Sequence, residues 1–195
     1  MFLQALLIFR LTKEPIKLVS IFSLPSLWLF QKSNTEEIII FIGRTIVSRI
    51  SHLPSQIIEE QGYRCFVYRN GDLACIAVTS SDYSTFMCST FLHESFRIFV
   101  EAYPHWDEIT VENNLTCPDL TSLLAKYQHP EKANVLTKIN DDLNETKDIM
   151  IKNIDSLLNR GEKIEDLLIK SENLSKESKD FLIKTKKLNR CCVII

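Results

Sequence analysis

The stretch LTKINDDLNETKDIMIKNIDSLLNRGEKIEDLLIKSENLSKESKDFLIKTKKL, residues 136–188, carries the plainest pattern in the chain. Stepping alternately by three and four residues gives Leu136, Ile139, Leu143, Thr146, Met150, Asn153, Leu157, Arg160, Ile164, Leu167, Ser171, Leu174, Ser178, Phe181, Thr185 and Leu188. This is an a/d heptad frame held without slippage over about eight heptads, twice the length at which a coiled coil is told from chance periodicity. Ten of the sixteen positions are apolar, five are small or polar, and the central one is an arginine. One unbroken helix of this length would reach ~80 Å at ~1.5 Å per residue. Such a rod is too long for one small core, and the frame predicts partner helices along it.

Arg160 restricts the kind of partner. A guanidinium in a coiled-coil seam is costly unless acceptors meet it there. Two identical chains would set two cations face to face. Helices from other chains, presenting glutamine carbonyls in the same layer, would satisfy the donors and fix the register. The competing reading is an ordinary coiled coil with Arg160 swung out to solvent.

The residues around the arginine bear on this choice. Asn144-Glu145-Thr146-Lys147, followed by Leu157-Leu158-Asn159-Arg160-Gly161-Glu162-Lys163-Ile164-Glu165-Asp166-Leu167, resembles the R-SNARE (synaptobrevin-type) motif. Asn153 two layers earlier and Phe181 six layers later fit it as well. The Arg-Gly-Glu-Lys run and the chain's ending resemble the lipid-anchored, longin-domain branch of that family, which lacks a transmembrane helix. The resemblance implies Arg160 as the central ionic layer and the other frame positions as core layers. It also implies three glutamine-SNARE helices as partners in a four-helix bundle. Gly161, beside the arginine, costs a helix ~1 kcal/mol relative to alanine.

Composition limits the alternatives. Four glycines and no G-x-x-x-x-G-K-[ST] exclude a prenylated small GTPase, and a net charge of −2 argues against a general nucleic-acid binder. The six cysteines show no zinc-type spacing with the four histidines, so no metal or cofactor is expected. His93, His105, Asp82 and Glu94 have no spacing suited to catalysis, and the protein is not read as an enzyme. Apolar runs such as Phe2–Phe9 and Ile38–Ile42 fall far short of the ~20 residues a membrane span needs.

Ahead of the heptads, apolar runs at Phe2–Arg10 and Ile16–Phe22 predict two strands joined across Pro15, and Leu24–Phe30 a packed loop. A capping box at Ser33/Glu36 or Asn34/Glu37 opens an amphipathic helix from about Thr35 to Ser51. Strands are expected near Gln56–Glu60, Tyr63–Arg69 and Leu73–Ser80, with Asn70-Gly71 as a type I′ turn. Asp82 is expected to cap a helix running through Tyr103, His105–Thr116 to be irregular, and Pro118 to open a short helix at Asp119–Tyr127. The class is α+β. This order resembles the longin (profilin-like) fold, with a five-stranded sheet and helices followed by a long coiled-coil helix. The expected division is 1–130 for the longin domain, 131–190 for the coiled-coil region and 191–195 for a lipidation tail.

The tail ends Cys191-Cys192-Val193-Ile194-Ile195, a C-a-a-X box that points to prenylation of Cys192. One lipid binds membranes only marginally. Cys191 offers a palmitoyl or second prenyl site, and Lys184, Lys186, Lys187 and Arg190 add ~1 kcal/mol each towards an anionic leaflet. The covalent lipid would hold the chain peripherally on the cytosolic face of Golgi, endosomal or vesicle membranes. Finally, Ile38–Ile42 carries more apolar surface than one sheet contact covers. Ile39, Ile40 and Phe41 match the family's hydrophobic patch, on which the SNARE helix folds back in the cytosol. The function implied is vesicle docking and fusion, autoinhibited by the longin domain. The alternative is a trafficking scaffold that binds partner helices without driving fusion.

Overall fold

In the computed structural model, residues 2–24, 32–50, 54–60, 62–128 and 149–191 are described, with side chains as far as Lys184. The first strand shows why a sheet sits at the centre. β1 (Leu3–Arg10) is apolar on both faces and buried over almost its whole length. Leu6 and Ile8 enter one core, and Ala5, Leu7 and Phe9 enter another on the opposite face. β5 (Leu73–Ser80) divides in the same way, with Leu73, Cys75 and Ala77 on one side and Ala74, Ile76 and Val78 on the other. Strands buried on both faces need cover on both.

The remaining strands are β2 (Ile16–Phe22), β3 (Ser55–Glu60), β4 (Tyr63–Asn70) and β6 (Met150–Asn153). The order across the sheet is β2-β1-β5-β4-β3-β6, antiparallel except for the parallel β3–β6 pair. The first face is covered by α2 (Thr85–Ala102) and α3 (Pro118–Tyr127) through Phe91, Leu92, Phe99, Leu120 and Tyr127. The second is covered by α1 (Lys32–Arg49) through Ile46 and Val47, with part-buried Ile38, Ile39, Ile40, Phe41 and Ile42. Gly43 lets α1 lie against β1, since a Cβ there would stand 2.6 Å from Leu7 Cδ1. The far edge of the sheet is also covered: the Asn113 and Leu115 amides donate to the Lys17 and Leu18 carbonyls of β2.

Five strands and three helices match the sequence-based order, with local corrections. Helix α1 begins at Lys32, ahead of Thr35, and ends at Arg49. Ser84, not Asp82, caps α2, accepting a hydrogen bond from the Met87 amide at 3.4 Å. In the β4–β5 hairpin Asn70 pairs with Leu73, so the turn residues are Gly71 and Asp72, with Gly71 at φ +60°. Most of Leu24–Phe30 lies outside the described residues.

The heptad region departs further from expectation, and with it the strand number changes slightly. Among the described residues the sheet has six strands, not five, and the sixth comes from inside the heptad frame. Residues 149–191 are not one rod here. They run as β6, a 3-10 turn at Ile154–Leu157, α4 (Ile164–Lys170) and α5 (Lys176–Cys191), laid against β3 and α1. The reason is elementary. A lone helix would leave its apolar stripe in water, whereas the broken path buries Ile154, Ile164, Leu168 and Leu174 with the α1 face.

Gly43→Ala tests the α1–β1 approach. Overpacking against Leu7 costs ~1–3 kcal/mol and outweighs the ~1 kcal/mol that alanine adds to a helix. A lowered urea midpoint at unchanged m-value is the expected result.

Candidate functional site at the fold-back interface

The interface is built from three kinds of contact. At its start, Met150, Ile151, Lys152 and Asn153 pair in parallel with Gln56, Ile57, Ile58 and Glu59. β3 would otherwise present an unpaired edge. Asn153 then ends the strand, its side chain accepting from the Asp155 amide at 3.1 Å.

The middle is apolar. Ile154, Ile164, Leu168 and Leu174 are buried in the same cluster as Ile46, Val47 and Ile58. Part-buried Leu157, Leu158 and Leu182 pack against that cluster, as do Ile38–Ile42 of α1. Fully burying a leucine- or isoleucine-sized side chain contributes ~1.5–3 kcal/mol. This is the largest favourable term in the interface.

Two charged residues of α1 hold the ends. Glu37 accepts from the Ser175 amide at 3.1 Å, from Ser175 Oγ at 2.7 Å and from Ser178 Oγ at 2.7 Å. Ser175 in turn accepts from the Ser178 amide at 3.2 Å, capping the start of α5. Burial alone would raise the Glu37 pKa, but the hydrogen bonds from Ser175 and Ser178 outweigh it and the net direction is down. Some twelve residues further along α1, Arg49 Nη1 meets Glu162 Oε2 at 2.8 Å. The Asn159 amide and Nδ2 donate to the same carboxylate at 3.1 and 3.0 Å. Those bonds, led by Arg49, hold Glu162 down to about 2. Near the β3 terminus, burial and the carboxylates of Asp155 and Glu165 push Glu60 up.

The frame residues fall into distinct places. Ile164, Leu174 and Ser178 are buried, and Leu157, Leu167, Ser171 and Phe181 are half-buried. Met150 and Asn153 are exposed in β6, and Arg160 is exposed in a turn. Leu136, Ile139, Leu143 and Thr146 lie outside the described residues, as does Cys192. Thr185, Leu188 and Cys191 are in α5, with their side chains outside the description. Ile39, Ile40 and Phe41 are part-buried and pack against the cluster that joins Leu7, Phe9 and Ile76 of the sheet to Ile154, Ile164, Leu168 and Leu174.

The sequence marks Glu37 only as a capping-box residue and Asn159 and Glu162 only as part of a motif; it does not show their fold-back contacts, nor Arg49, nor Ile154 and Leu168, which each follow a frame position by one residue. Two local signals were present: the Ser-x-x-Ser spacing at 175–178, and Asn-x-Gly-Glu at 159–162. Neither identifies its partner on α1, more than a hundred residues earlier.

No helix among the described residues is long and apolar enough to cross a membrane. Residues 135–194 match the Synaptobrevin family, and residues 24–124 match the Longin family, described as a regulated-SNARE-like domain. The chain is 34% identical to the fission yeast (Schizosaccharomyces pombe) synaptobrevin homolog ykt6 over 98% of each chain. It is 32% identical to the VAMP-like protein YKT61 of Arabidopsis thaliana over 99% of each. It is 31% identical to the synaptobrevin homolog YKT6 of Saccharomyces cerevisiae over 94% of each. A longin sheet, a heptad frame centred on arginine and full-length likeness to these relatives lead to one conclusion: the chain belongs to the Ykt6 family of longin-domain synaptobrevin homologues, SNAREs of vesicle trafficking.

Proposed function

We propose that the protein is an R-SNARE that drives vesicle docking and fusion, is held closed by its own longin domain, and reaches membranes through a C-terminal lipid. One observation carries the reading. Ile164, Leu174 and Ser178 occupy seam positions of the heptad frame, and the same side chains are buried against the longin domain. They cannot face three partner helices while they face α1. Zippering therefore requires release, and the two forms exclude each other.

In the released form Arg160 forms the central layer with three glutamines from partner helices. The remaining frame positions, Leu136 to Leu188, form the layers on either side. Burial of that stripe, at ~25 cal/mol per Å² of apolar area, supplies the work delivered to the bilayer. Cys192 carries the isoprenoid, and Cys191 takes a palmitoyl or second prenyl group. Two lipids together exceed the marginal hold of one. Domain limits at 130 and 190 and residence on Golgi, endosomal or vesicle membranes belong to the same reading.

The closed form has a defined dependence on acidity. A carboxylate whose pKa is depressed stabilises the state that depresses it above its ordinary range, and that contribution is lost as pH falls through the depressed value. Glu37 and Glu162 are both of this kind. Their hold on the fold-back segment is complete at neutral pH.

Phe41→Glu places a carboxylate in the apolar interface. It should release residues 149–184 and speed assembly with glutamine-SNARE helices at least ten-fold, since one buried unpaired charge costs several kcal/mol. An unchanged rate with the longin domain intact by circular dichroism would overturn autoinhibition. Arg160→Gln separates the two forms. Arg160 is exposed here, so the closed form should keep its stability to within about 0.5 kcal/mol. The four-helix complex should melt earlier or misregister, and an unchanged complex would remove Arg160 from the central layer. Cys192→Ser should abolish incorporation of a prenyl analogue; persistent labelling would place the lipid elsewhere.

A further inference from the structure

We propose that the turn Asn159–Glu162 is the two-state element of this chain, and that Gly161 is the residue allowing it to exist in both states. The inference rests on the closed-and-released reading above and identifies the backbone position on which that equilibrium turns.

Asn159, Arg160, Gly161 and Glu162 form a hydrogen-bonded reverse turn, with the Glu162 amide donating to the Asn159 carbonyl at 2.9 Å. Gly161, the third residue, has φ +89°. Side chains rarely adopt that conformation, and in the third position it is the requirement of a type II turn. A Cβ built on Gly161 meets nothing within 4 Å. The site is therefore selective through backbone conformation and not through space. The turn also carries its own clasp, since both Asn159 donors and Arg49 converge on the Glu162 carboxylate.

The heptad frame runs straight through these four residues. In a continuous helix the Asn159 amide would bond to the Asp155 carbonyl, and Gly161 would take a negative φ. Each feature that builds the turn must then be undone: the positive φ, the 159–162 hydrogen bond, and the Asn159 and Arg49 contacts to Glu162. Glycine is a poor helix residue, so its presence weakens the rod at the arginine layer. In the turn it is the favoured residue. One position thus raises the zippered form and lowers the folded-back form, and both effects hold the free chain closed. The turn also sets where Arg160 stands: exposed to solvent when closed, and inside the seam once the helix is continuous.

The test compares substitutions in the full-length, uncomplexed chain by amide hydrogen exchange in residues 150–153 and 164–170. Gly161→Ala should accelerate exchange there about ten-fold, because alanine is disfavoured at positive φ and favoured in helix. Gly161→Asn should stay within about three-fold of the unaltered chain, since asparagine enters the left-handed region readily. Arg49→Ala opens the clasp without touching the turn's φ and reports that exchange reads release. Unchanged exchange in β5 and α2 confirms an intact longin domain in every variant. If Arg49→Ala and Phe41→Glu accelerate exchange while Gly161→Ala does not, the turn proposal is overturned and autoinhibition stands. Equal acceleration by alanine and asparagine also overturns it, because positive φ is then not the cause. If no variant accelerates exchange, the closed-state reading itself falls.

Discussion

Two apolar stripes in this chain cannot both be left in water. One lies on α1, at Ile38–Ile42 with Ile46 and Val47, and the other on residues 154–182. In the free chain both enter one buried cluster with Ala5, Leu7, Phe9 and Ile76 of the sheet, so that α1 covers the sheet and the later segment completes the cover of α1. The rest of the structure follows from that mutual burial. The heptad segment gives up helical continuity, β3 gains a sixth strand beside it, and two α1 charges find partners at the ends of the contact.

The interface mixes strong non-directional attraction with a few directional contacts. Burial of Ile154, Ile164, Leu168 and Leu174 supplies the attraction but would tolerate sliding. Register comes from the β3–β6 ladder, from Glu37 at the start of α5, and from Arg49 on the 159–162 turn. Ser178 shows the economy of the arrangement. It is fully buried yet polar, and it is satisfied by Glu37 in this form. In the heptad frame the same small hydroxyl occupies a seam position.

Much of the longin domain could be read directly from the residues. The five strands β1–β5 and three helices α1–α3 announce themselves by apolar runs, by turn residues and by proline at the first turn of α3. The misplacements were local, such as the cap at Ser84 and the turn at Gly71-Asp72. The fold-back path was a different matter. A period of 3.5 residues states what a segment does with partner helices, and it points to a rod because a continuous helix is what puts every frame position in one seam. In the single chain only some are used, and Ile154 and Leu168, outside the frame, are buried beside them. The pairing of Glu37 with Ser175 and Ser178, and of Arg49 with Glu162, has no local signal because each joins residues more than a hundred positions apart.

The sequence by itself determined the elements of the sheet domain, the uninterrupted heptad frame with arginine at its centre, and the cysteine-rich tail. These are local or periodic properties, written into neighbouring residues. Only the tertiary structure decided which of two burials the apolar stripe adopts in the isolated chain, and which charges hold it there. That choice depends on a surface assembled from α1 and the edge of β3, and such a surface exists only after the domain has folded.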